Sequence, residues 1–298
     1  MQNYDIANVG AYTKDTIKTP HEARVQDGGG FYYGANVAQR LGLRTAAVTR
    51  LARADFHIVY KLRSLGVDVY AAETPQSTCI TLDYRTDNPD ERILHITATS
   101  GSFTVEQFEG INAKAYVISP SVRGEVPLDV LEFLAKRGGL TAIDVQGYIR
   151  TVGKDSVVQY EVWPEMGRFF ELASVVKTDA VEAAFLTGER DVVAAAGALI
   201  KKGAHEVILT HQDGIVVHDG HTCREAKFCA RGNAGRTGRG DTAMTSYMAK
   251  RITEPPEAAL LWAAAVCSLK LEKSGPFAGS LDEVRALLHS AYGYEEKD

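Results

Sequence analysis

Short apolar runs rich in β-branched residues alternate along this chain with segments in which apolar residues recur every three or four positions. Runs of the first kind are typical of parallel strands buried on both faces, and the second spacing is typical of amphipathic helices. The alternation predicts an α/β fold in which helices cover both faces of a mostly parallel sheet. The predicted strands are residues 6–10, 45–48, 67–70, 115–119, 141–145, 174–177 and 206–210.

Helical spacing recurs between these strands and dominates the C-terminal part of the chain. The predicted helices are residues 35–41, 56–65, 128–136, 166–172, 181–186 and 192–202, followed by 240–252, 257–272 and 281–292. No internal repeat or linker-like tract separates these elements. We therefore expect one domain over residues 1–298.

Two segments depart from the alternation. Residues 77–82 and 92–98 mix apolar and polar side chains on either side of the polar run 85–90, which predicts an exposed antiparallel hairpin. Residues 13–26 have a similar polar character. Together these stretches predict a small β-sheet that forms a lid, with lid segments at about 12–28 and 76–98. A hairpin that only extends the surface is the alternative.

Composition narrows the classes of partner. The chain has 298 residues, 45% of them hydrophobic, and a net charge of −5, which disfavours general binding to nucleic acid or to an anionic membrane. Its longest apolar stretch is too short to span a bilayer, and its first residues do not resemble a secretory signal. The four cysteines lack metal-ligand spacing. We expect a cytoplasmic protein, and exposed lid edges would favour a homodimer through the lid.

The strongest chemical motif is residues 235–242, GRTGRGDT, which precede a predicted helix. Gly238 and Gly240 allow backbone N–H groups to turn inward, and a helix N-terminus favours an anion. Asp241 would repel phosphate unless it has another task, such as accepting a proton from an attacking hydroxyl. A glycine turn that ends in an aspartate helix cap is the structural alternative.

Three further motifs lie at predicted strand or helix ends. Residues 28–34, GGGFYYG, contain glycines that permit close approach of a ligand and aromatic rings on which a sugar or base could stack. Asp179 and Glu182 are spaced to hold waters around magnesium, or to cap their helix. Residues 210–214, THQDG, follow a strand that ends at the same edge of the sheet.

The order of these motifs resembles the ribokinase or PfkB family of carbohydrate kinases across nearly the whole chain. Asp15 is similar to the family's early aspartate that binds substrate hydroxyls, and Asn36 falls at its sugar-contacting asparagine. The resemblance implies a ribokinase-like three-layer sandwich with a small β-sheet lid. It also implies a substrate site formed by Asp15, Asn36 and the glycines Gly28, Gly29 and Gly30.

The same resemblance implies a donor site and a reaction. Residues 238–241 correspond to the family's anion hole and base, so Asp241 would be the general base, with Gly238, Arg239 and Gly240 beside it. Asp179 and Glu182 would act on Mg²⁺ through water. ATP would be the donor, bound by Lys177, Thr210, Gln212, Gly214 and Gly238. The implied activity is ATP-dependent phosphorylation of a hydroxyl on a small, polyhydroxylated, sugar-like substrate.

Several residues depart from the family pattern. Gly235 replaces an aspartate that some members use for a monovalent cation, Gln212 replaces a glycine, and Arg239 replaces an alanine. The aromatic trio at 31–33 and the segment 144–150, DVQGYIR, are typical of a divergent branch. A nucleoside or inositol kinase of the same fold is therefore an alternative. A non-catalytic ligand-binding protein is a second alternative, because fold does not fix function.

Overall fold

The computed structural model describes residues 2–86 and 92–295, in which strands and helices alternate as the sequence predicts. The strands are β1 (Gln2–Val9), β2 (Thr13–Lys18), β3 (Ala23–Gly28), β4 (Thr45–Ala52), β5 (Asp68–Thr74), β6 (Thr78–Asp83), β7 (Ile93–Ala98), β8 (Ile111–Ile118), β9 (Leu140–Asp144), β10 (Arg150–Val152), β11 (Val158–Tyr160), β12 (Val175–Asp179), β13 (Val207–Thr210), β14 (Gly214–His218) and β15 (Cys223–Lys227).

The helices lie mainly between the strands of the main sheet and after its last strand. They are α1 (Gly30–Arg40), α2 (His57–Ser64), α3 (Leu128–Ala135), α4 (Gln146–Ile149), α5 (Met166–Leu172), α6 (Ala180–Thr187), α7 (Val192–Lys201), α8 (Arg239–Arg251), α9 (Pro256–Leu271) and α10 (Leu281–Tyr292). Strands β10, β11, β14 and β15 and the short helix α4 were not predicted from the sequence.

The main sheet contains nine strands in the order β15–β14–β13–β12–β9–β8–β1–β4–β5. The seven strands from β13 to β5 run parallel, whereas β14 and β15 are antiparallel additions at one edge. The carboxyl ends of the parallel strands therefore meet at one edge of the sheet. Open α/β sheets bind their ligands outside this edge.

Helices cover both faces of the main sheet and bury its apolar side chains. In β8, Tyr116 and Ile118 pack into a core that includes residues of α3, α5 and α7, while Ala115 and Val117 face α8 and α9. This alternation follows from the two-residue period of a strand. It gives the three-layer arrangement that the sequence predicts, and the predicted α/β fold class is confirmed.

The two polar segments form a second, four-stranded sheet in the order β3–β2–β6–β7. Strands β6 and β7 make the predicted antiparallel hairpin, and β2 and β6 pair in parallel at the centre of the small sheet. Residues 87–90 of the predicted turn lie outside the described residues. The predicted small sheet is therefore present, and its action as a lid stays a prediction.

Asp55 joins the small sheet to the main body. Its carboxylate accepts a 2.6 Å hydrogen bond from Ser77 Oγ and forms a 2.7 Å ion pair with Lys14 Nζ of β2. Burial alone would raise the pKa of Asp55, but the bonds from Lys14 and Ser77 outweigh it and hold the pKa below its ordinary value. The ionised carboxylate therefore fixes the base of the small sheet beside β4.

Strand β3 is an outer strand of the small sheet, and Val25 on it is 63% exposed. Such an edge is consistent with the predicted homodimer, which stays a prediction. Across the described residues, no helix combines the length and the apolar character needed to cross a membrane.

Candidate active site

A cavity of about 520 Å³ lies between the small sheet and the carboxyl ends of the main strands. The small sheet contributes both polar and apolar side chains, and the main body contributes charged groups and backbone. The lining residues used below are Thr13, Asp15, Ile17, Arg24, Gly29, Gly30, Tyr33, Ile80, Leu82, Arg92, Leu94, Asp144, Arg150, Lys177, Asp179, Thr210, Arg236, Gly238, Arg239, Gly240 and Asp241.

A buried ion pair forms the floor of this cavity. Lys177 on β12 and Asp144 on β9 are register partners in adjacent strands, and Lys177 Nζ lies 2.8 Å from Asp144 Oδ2. Burial would lower the pKa of Lys177, but the surrounding carboxylates, Asp144 first among them, raise it well above its ordinary value. Lys177 therefore places a permanent positive charge at the bottom of the site.

The glycine-rich loop lies directly over Lys177. A Cβ atom on Gly240 would lie 2.7 Å from Lys177 Nζ, and one on Gly238 would lie 2.3 Å from the Tyr33 ring. Gly238 also has φ of 77°, a left-handed conformation that disfavours other residues. Helix α8 begins at Arg239, so the positive end of its dipole faces the cavity. The predicted anion-binding turn is therefore built from glycines that leave no room for side chains.

Asp241 lies in the first turn of α8 and contacts the start of α1. An added Cβ on Gly30 would lie 2.6 Å from Asp241 Oδ1. Burial raises the pKa of Asp241 to about 6, and the Asp144 carboxylate adds to that rise while Lys177 opposes it. A carboxyl with this pKa is ionised at neutral pH and is more basic than an ordinary aspartate. It can therefore accept a proton from a hydroxyl held nearby.

Asp15 presents a second carboxylate from β2 on the opposite wall. Burial raises the pKa of Asp15 to about 6, a rise that a hydrogen bond from Thr13 partly offsets. Its Oδ1 atom is buried and has no hydrogen-bond partner among the described residues. Buried polar atoms are normally paired, so this oxygen is available to accept a hydrogen bond from a ligand hydroxyl.

Five arginines surround the same cavity: Arg24, Arg92, Arg150, Arg236 and Arg239. The buried Arg150 Nε has no hydrogen-bond partner in the described part of the chain, and Arg150 lies 3.5 Å from Glu182. The Arg239 guanidinium lies 5.7 Å from the centre of the Phe228 ring. Arginine donors match the geometry of phosphate oxygens, so the cavity suits a ligand with several phosphate charges.

Asp179 and Glu182 form the capping box of α6. Asp179 Oδ1 accepts a 2.8 Å hydrogen bond from the Glu182 backbone N–H, and Glu182 Oε2 accepts a 3.0 Å bond from that of Asp179. Glu182 is fully buried beside Arg150, and only Asp179 of the pair lines the cavity. The two carboxylates therefore fit the capping alternative and do not by themselves form a magnesium site. The described residues contain no cluster of three or more potential metal ligands.

Residues 4–283 match the pfkB family of carbohydrate kinases. The chain belongs to this family. It is therefore a phosphotransferase with an alcohol group as acceptor, as the motif order predicts. No curated protein sequence matches it at a significant level.

Solved structures of kinases resemble this pfkB-family member over almost its whole length. A pyrophosphate-dependent kinase of the ribokinase family, complexed with a pyrophosphate analogue and myo-inositol, is 28% identical. The match covers 94% of this chain and 99% of that one, with a TM-score of 0.86.

A second structure concerns the conversion of a pyrophosphate-dependent myo-inositol-1 kinase into a myo-inositol-3 kinase by replacing an asparagine and a serine with leucine. It is 28% identical, covers 96% of this chain and 99% of that one, and has a TM-score of 0.87. Ribokinase from Arabidopsis thaliana, complexed with ribose and ATP, is 17% identical over 96% of this chain and 99% of that one. Its TM-score of 0.77 supports the shared fold.

The structure brings most of the predicted site residues of this kinase together and leaves others apart. Gly29, Gly30, Thr210 and the loop from Gly238 to Asp241 line the cavity with Asp15, Lys177 and Asp179, whereas Gln212 and Gly214 do not. Gly28 packs directly against the Asp15 carboxylate, because a Cβ atom on Gly28 would be 2.3 Å from Asp15 Oδ2. Asn36 is also absent from the lining. It is buried on α1, and its amide donates a 2.8 Å hydrogen bond to the Tyr32 carbonyl.

The prediction that the aromatic rings at 31–33 form a stacking surface for a ligand is largely wrong. Helix α1 begins at Gly30 rather than near residue 35, so the aromatic trio forms its first turn. Phe31 and Tyr32 are buried in a core with side chains of β4 and α2, and only Tyr33 lines the cavity. The trio therefore mainly anchors α1.

Sequence reasoning gave no site role to Asp144, Arg150, Arg24 or Arg92. The segment 144–150 was recognised as divergent, and Asp144 ends a predicted strand next to the strand that carries Lys177. A carboxylate and a lysine at the ends of two neighbouring strands are a signal that could have identified the ion pair. Arg24 and Arg92 reach the cavity only through the pairing of the small sheet.

Replacing Gly30 with alanine tests whether Asp241 depends on the glycine beside it. The new Cβ would lie 2.2 Å from Ser119 Cβ and 2.6 Å from Asp241 Oδ1, so it must displace the carboxylate. We expect turnover to fall by about 100-fold, because small displacements of a reacting group are costly. Steady-state kinetics measures this loss.

Gly167→Ala is the matched control, since it is also a helical glycine and a Cβ there meets nothing within 4 Å. We expect normal turnover and a stability gain of up to about 1 kcal/mol for this variant. Normal turnover in Gly30→Ala would contradict the proposed contact.

Proposed function

We propose that this kinase transfers a phosphoryl group from pyrophosphate to a hydroxyl of a cyclic polyol such as myo-inositol. The observation that carries the proposal is the set of positively charged side chains that line the cavity together with Asp241. Five arginines and Lys177 line a single cavity together with four aspartates, one of which, Asp144, is neutralised by Lys177. A compact donor with several phosphate charges at one place suits this arrangement better than a sugar alone.

The residues that line the cavity support a donor that carries no nucleotide base. Its lining includes Thr210 but not Gln212 or Gly214, the residues that the sequence assigns to nucleotide binding. Arg239 lies in the glycine-rich loop, and its side chain extends towards the ring of Phe228, the residue that follows β15. The pyrophosphate-dependent kinases that resemble this chain at 28–29% identity add support.

ATP, the donor expected from the sequence, is the second candidate. Thr210 lines the cavity at the carboxyl end of β13, next to Asp179, and could contact a longer donor. Members of the family use ATP, and the Arabidopsis thaliana ribokinase structure contains it. The donor assay below separates the two.

The opposite wall supports a ring-shaped polyol as acceptor. Asp15 Oδ1 offers an unpaired acceptor for hydroxyls, and Ile17, Ile80, Leu82 and Leu94 offer apolar contacts for the C–H faces of a ring. Because Phe31 and Tyr32 are buried in the core, the stacking argument for a nucleoside no longer applies. Asp241 beside the anion-binding loop disfavours a non-catalytic binding protein.

In the proposed reaction, Asp241 accepts the proton of the acceptor hydroxyl as its oxygen attacks a phosphorus atom of pyrophosphate. A new P–O bond forms, the bridging P–O bond breaks, and inorganic phosphate leaves. Lys177, the arginines and the N-terminal end of α8 stabilise the negative charge of the transferring group. Closure of the small sheet would exclude water, which otherwise competes as the nucleophile.

Magnesium stays a prediction for this site. A divalent ion bound to donor phosphates would neutralise part of their charge, and Asp179 is the member of the predicted pair that could hold one of its waters. The buried Glu182 does not line the cavity and lies 3.5 Å from Arg150, which does.

Donor and acceptor panels test the proposal directly. We expect myo-inositol to be phosphorylated with pyrophosphate and to release one phosphate per product, with ATP at least about tenfold poorer in kcat/KM, a difference near 1.4 kcal/mol. Phosphorus NMR identifies the products, with ribose, fructose and adenosine as comparison acceptors. Turnover with ATP alone would reject the proposed donor.

Asp241→Asn tests the general base. We expect turnover to fall by at least about 100-fold while pyrophosphate binding is kept, because general-base catalysis contributes about 100- to 10,000-fold. Steady-state kinetics measures turnover, and calorimetric titration with pyrophosphate measures donor binding. Asp282→Asn, a change at an exposed aspartate of α10, is the control. Near-normal turnover in Asp241→Asn would contradict the role.

The same variant should unfold less readily at high pH. The pKa of Asp241 is raised from its ordinary value of 3.8 to about 6, so ionising Asp241 destabilises the folded state. This cost is absent below about pH 3.8, grows between pH 3.8 and 6, and is complete above pH 6. We expect Asp241→Asn to gain up to about 3 kcal/mol of stability at pH 8 and nothing at pH 3.5. Urea unfolding at the two pH values provides the measurement.

Leu82 and Leu94 are candidates for selecting the hydroxyl that reacts. They are cross-strand partners on β6 and β7, and both line the cavity. In the related kinase, two substitutions with leucine change the phosphorylated position of myo-inositol. We expect Leu82→Asn combined with Leu94→Ser to shift phosphorylation to another ring position, because polar side chains can bind a different hydroxyl.

NMR of the inositol phosphate product identifies the position in each variant. Thr81→Val on the other face of the same strand is the control, and we expect no change in position for it. An unchanged position in the double variant would exclude this role for the leucine pair.

A further inference from the structure

Lys270 is a buried lysine that contacts the segment leading into the anion-binding loop. It lies in the last turn of α9 and is 2% exposed. Its Nζ donates a 2.6 Å hydrogen bond to the Gly235 carbonyl oxygen, which is its hydrogen-bond partner among the described residues. An ammonium group has three donors, so this environment leaves part of its hydrogen-bonding capacity unused.

The backbone around Gly235 is held on two sides by the end of α9. The Gly235 N–H donates a 2.8 Å hydrogen bond to the Leu271 carbonyl, while its own carbonyl accepts from Lys270. A Cβ atom at Gly235 would lie 2.2 Å from the carbonyl oxygens of Lys270 and Lys273 and 3.0 Å from Lys270 Nζ. Glycine at this position therefore allows the loop to approach the lysine closely.

The Lys270 ammonium also lies near the Tyr33 ring and acts electrostatically on Asp241. Its Nζ lies 5.9 Å from the centre of the Tyr33 ring, the ring that packs on Gly238. Although burial lowers the pKa of Lys270 to about 8, the Cys267 thiol and the Asp241 carboxylate oppose that fall. The ammonium form is therefore the main form at neutral pH, and its field extends to the proposed base.

Packing alone does not explain a charge at this position. Burying an ammonium costs several kcal/mol, and an apolar side chain of similar length would fill the same space without that cost. The hydrogen bond to Gly235 and the nearness of the Tyr33 ring place this charge instead beside the glycine-rich loop, which both residues adjoin.

We propose that Lys270 is a positioning residue that acts as a covalently attached monovalent cation beneath the phosphate-binding loop. Its hydrogen bond fixes the start of the loop through Gly235, and its charge adds to the attraction for donor phosphates above. The inference rests on the proposed phosphoryl transfer at Asp241. Lys270 thereby joins the groups on which catalysis depends, although it neither lines the cavity nor touches the substrate.

Lys270→Met removes the charge and keeps the length of the side chain. We expect kcat to fall by about 100-fold, as for loss of one preorganised electrostatic donor, and pyrophosphate binding to weaken, with an unchanged or higher melting temperature. The exposed Lys273 lies three residues further on, and Lys273→Met, which removes a charge outside the site, is the matched control. Kinetics, calorimetry with pyrophosphate and thermal unfolding provide the three readouts.

Chemical rescue separates an internal cation from a packing residue. Lys270→Ala leaves a space beside the Gly235 carbonyl, and ammonium chloride should restore part of its turnover in a saturable manner. Tetramethylammonium chloride at equal ionic strength is too large for the space and should not restore it. Wild-type turnover should respond equally to the two salts.

Three results would overturn the proposal: turnover of Lys270→Met within twofold of wild type, loss of activity that follows loss of folding, or an equal response of Lys270→Ala to both salts. Wild-type turnover, measured first with the donor and acceptor panels, tests the proposed function separately. If wild type is inactive, pyrophosphate affinity decides the role of Lys270. Equal affinity in wild type and Lys270→Met would reject it.

Discussion

The ion pair between Lys177 and Asp144 is the interaction on which the site depends. Both side chains are almost completely buried, and neither charge could remain there alone without a large desolvation cost. Their pairing joins two neighbouring parallel strands at the edge where such sheets bind ligands. It also leaves a fixed cation directly under Gly240, so the anion-binding turn is supported from below. The chemistry above the sheet is thus a consequence of how two strand ends satisfy each other's charge.

Close contacts across glycines connect the remaining parts of the site. Gly30 admits Asp241, Gly238 admits the Tyr33 ring, and Gly28 admits Asp15. The first two contacts join segments from opposite ends of the chain, and the third lies between the paired strands β2 and β3. A Cβ atom at any of these positions would occupy the space of the group it now touches. Gly28 and Gly30 therefore determine where the two aspartates lie. They do so by leaving room for neighbouring groups rather than by permitting unusual backbone angles.

Much of the fold could be predicted from the sequence, because buried parallel strands and amphipathic helices leave strong periodic signals. The antiparallel strands β14 and β15 were missed, since the first directly follows a motif that was interpreted as a nucleotide loop and the second, Cys223–Lys227, is mostly polar. The loop from Gly238 to Asp241 was located correctly at the cavity because its residues are contiguous. The aromatic trio was misplaced, since nothing local indicates that α1 begins at Gly30. The substrate-binding role of Asn36, which does not line the cavity, stays a prediction. Arg24, Arg92 and Arg150, which lie outside the glycine-rich loop, reach the cavity only through tertiary structure.

The parallel pairing of β2 with β6 has a consequence for how the molecule forms. Thr13 pairs with Thr78, so the chain between them, including α1, β4, α2 and β5, must be traversed before the small sheet can close. Pairings between such distant residues carry a large loop-closure cost and tend to form late in folding. The main sheet carries the same constraint, because β1 pairs with β8 across an even longer stretch of chain. The wall that carries Asp15 and the loop that carries Asp241 therefore come together only after distant parts of the chain have paired, and only a nearly finished molecule offers its substrate a complete site.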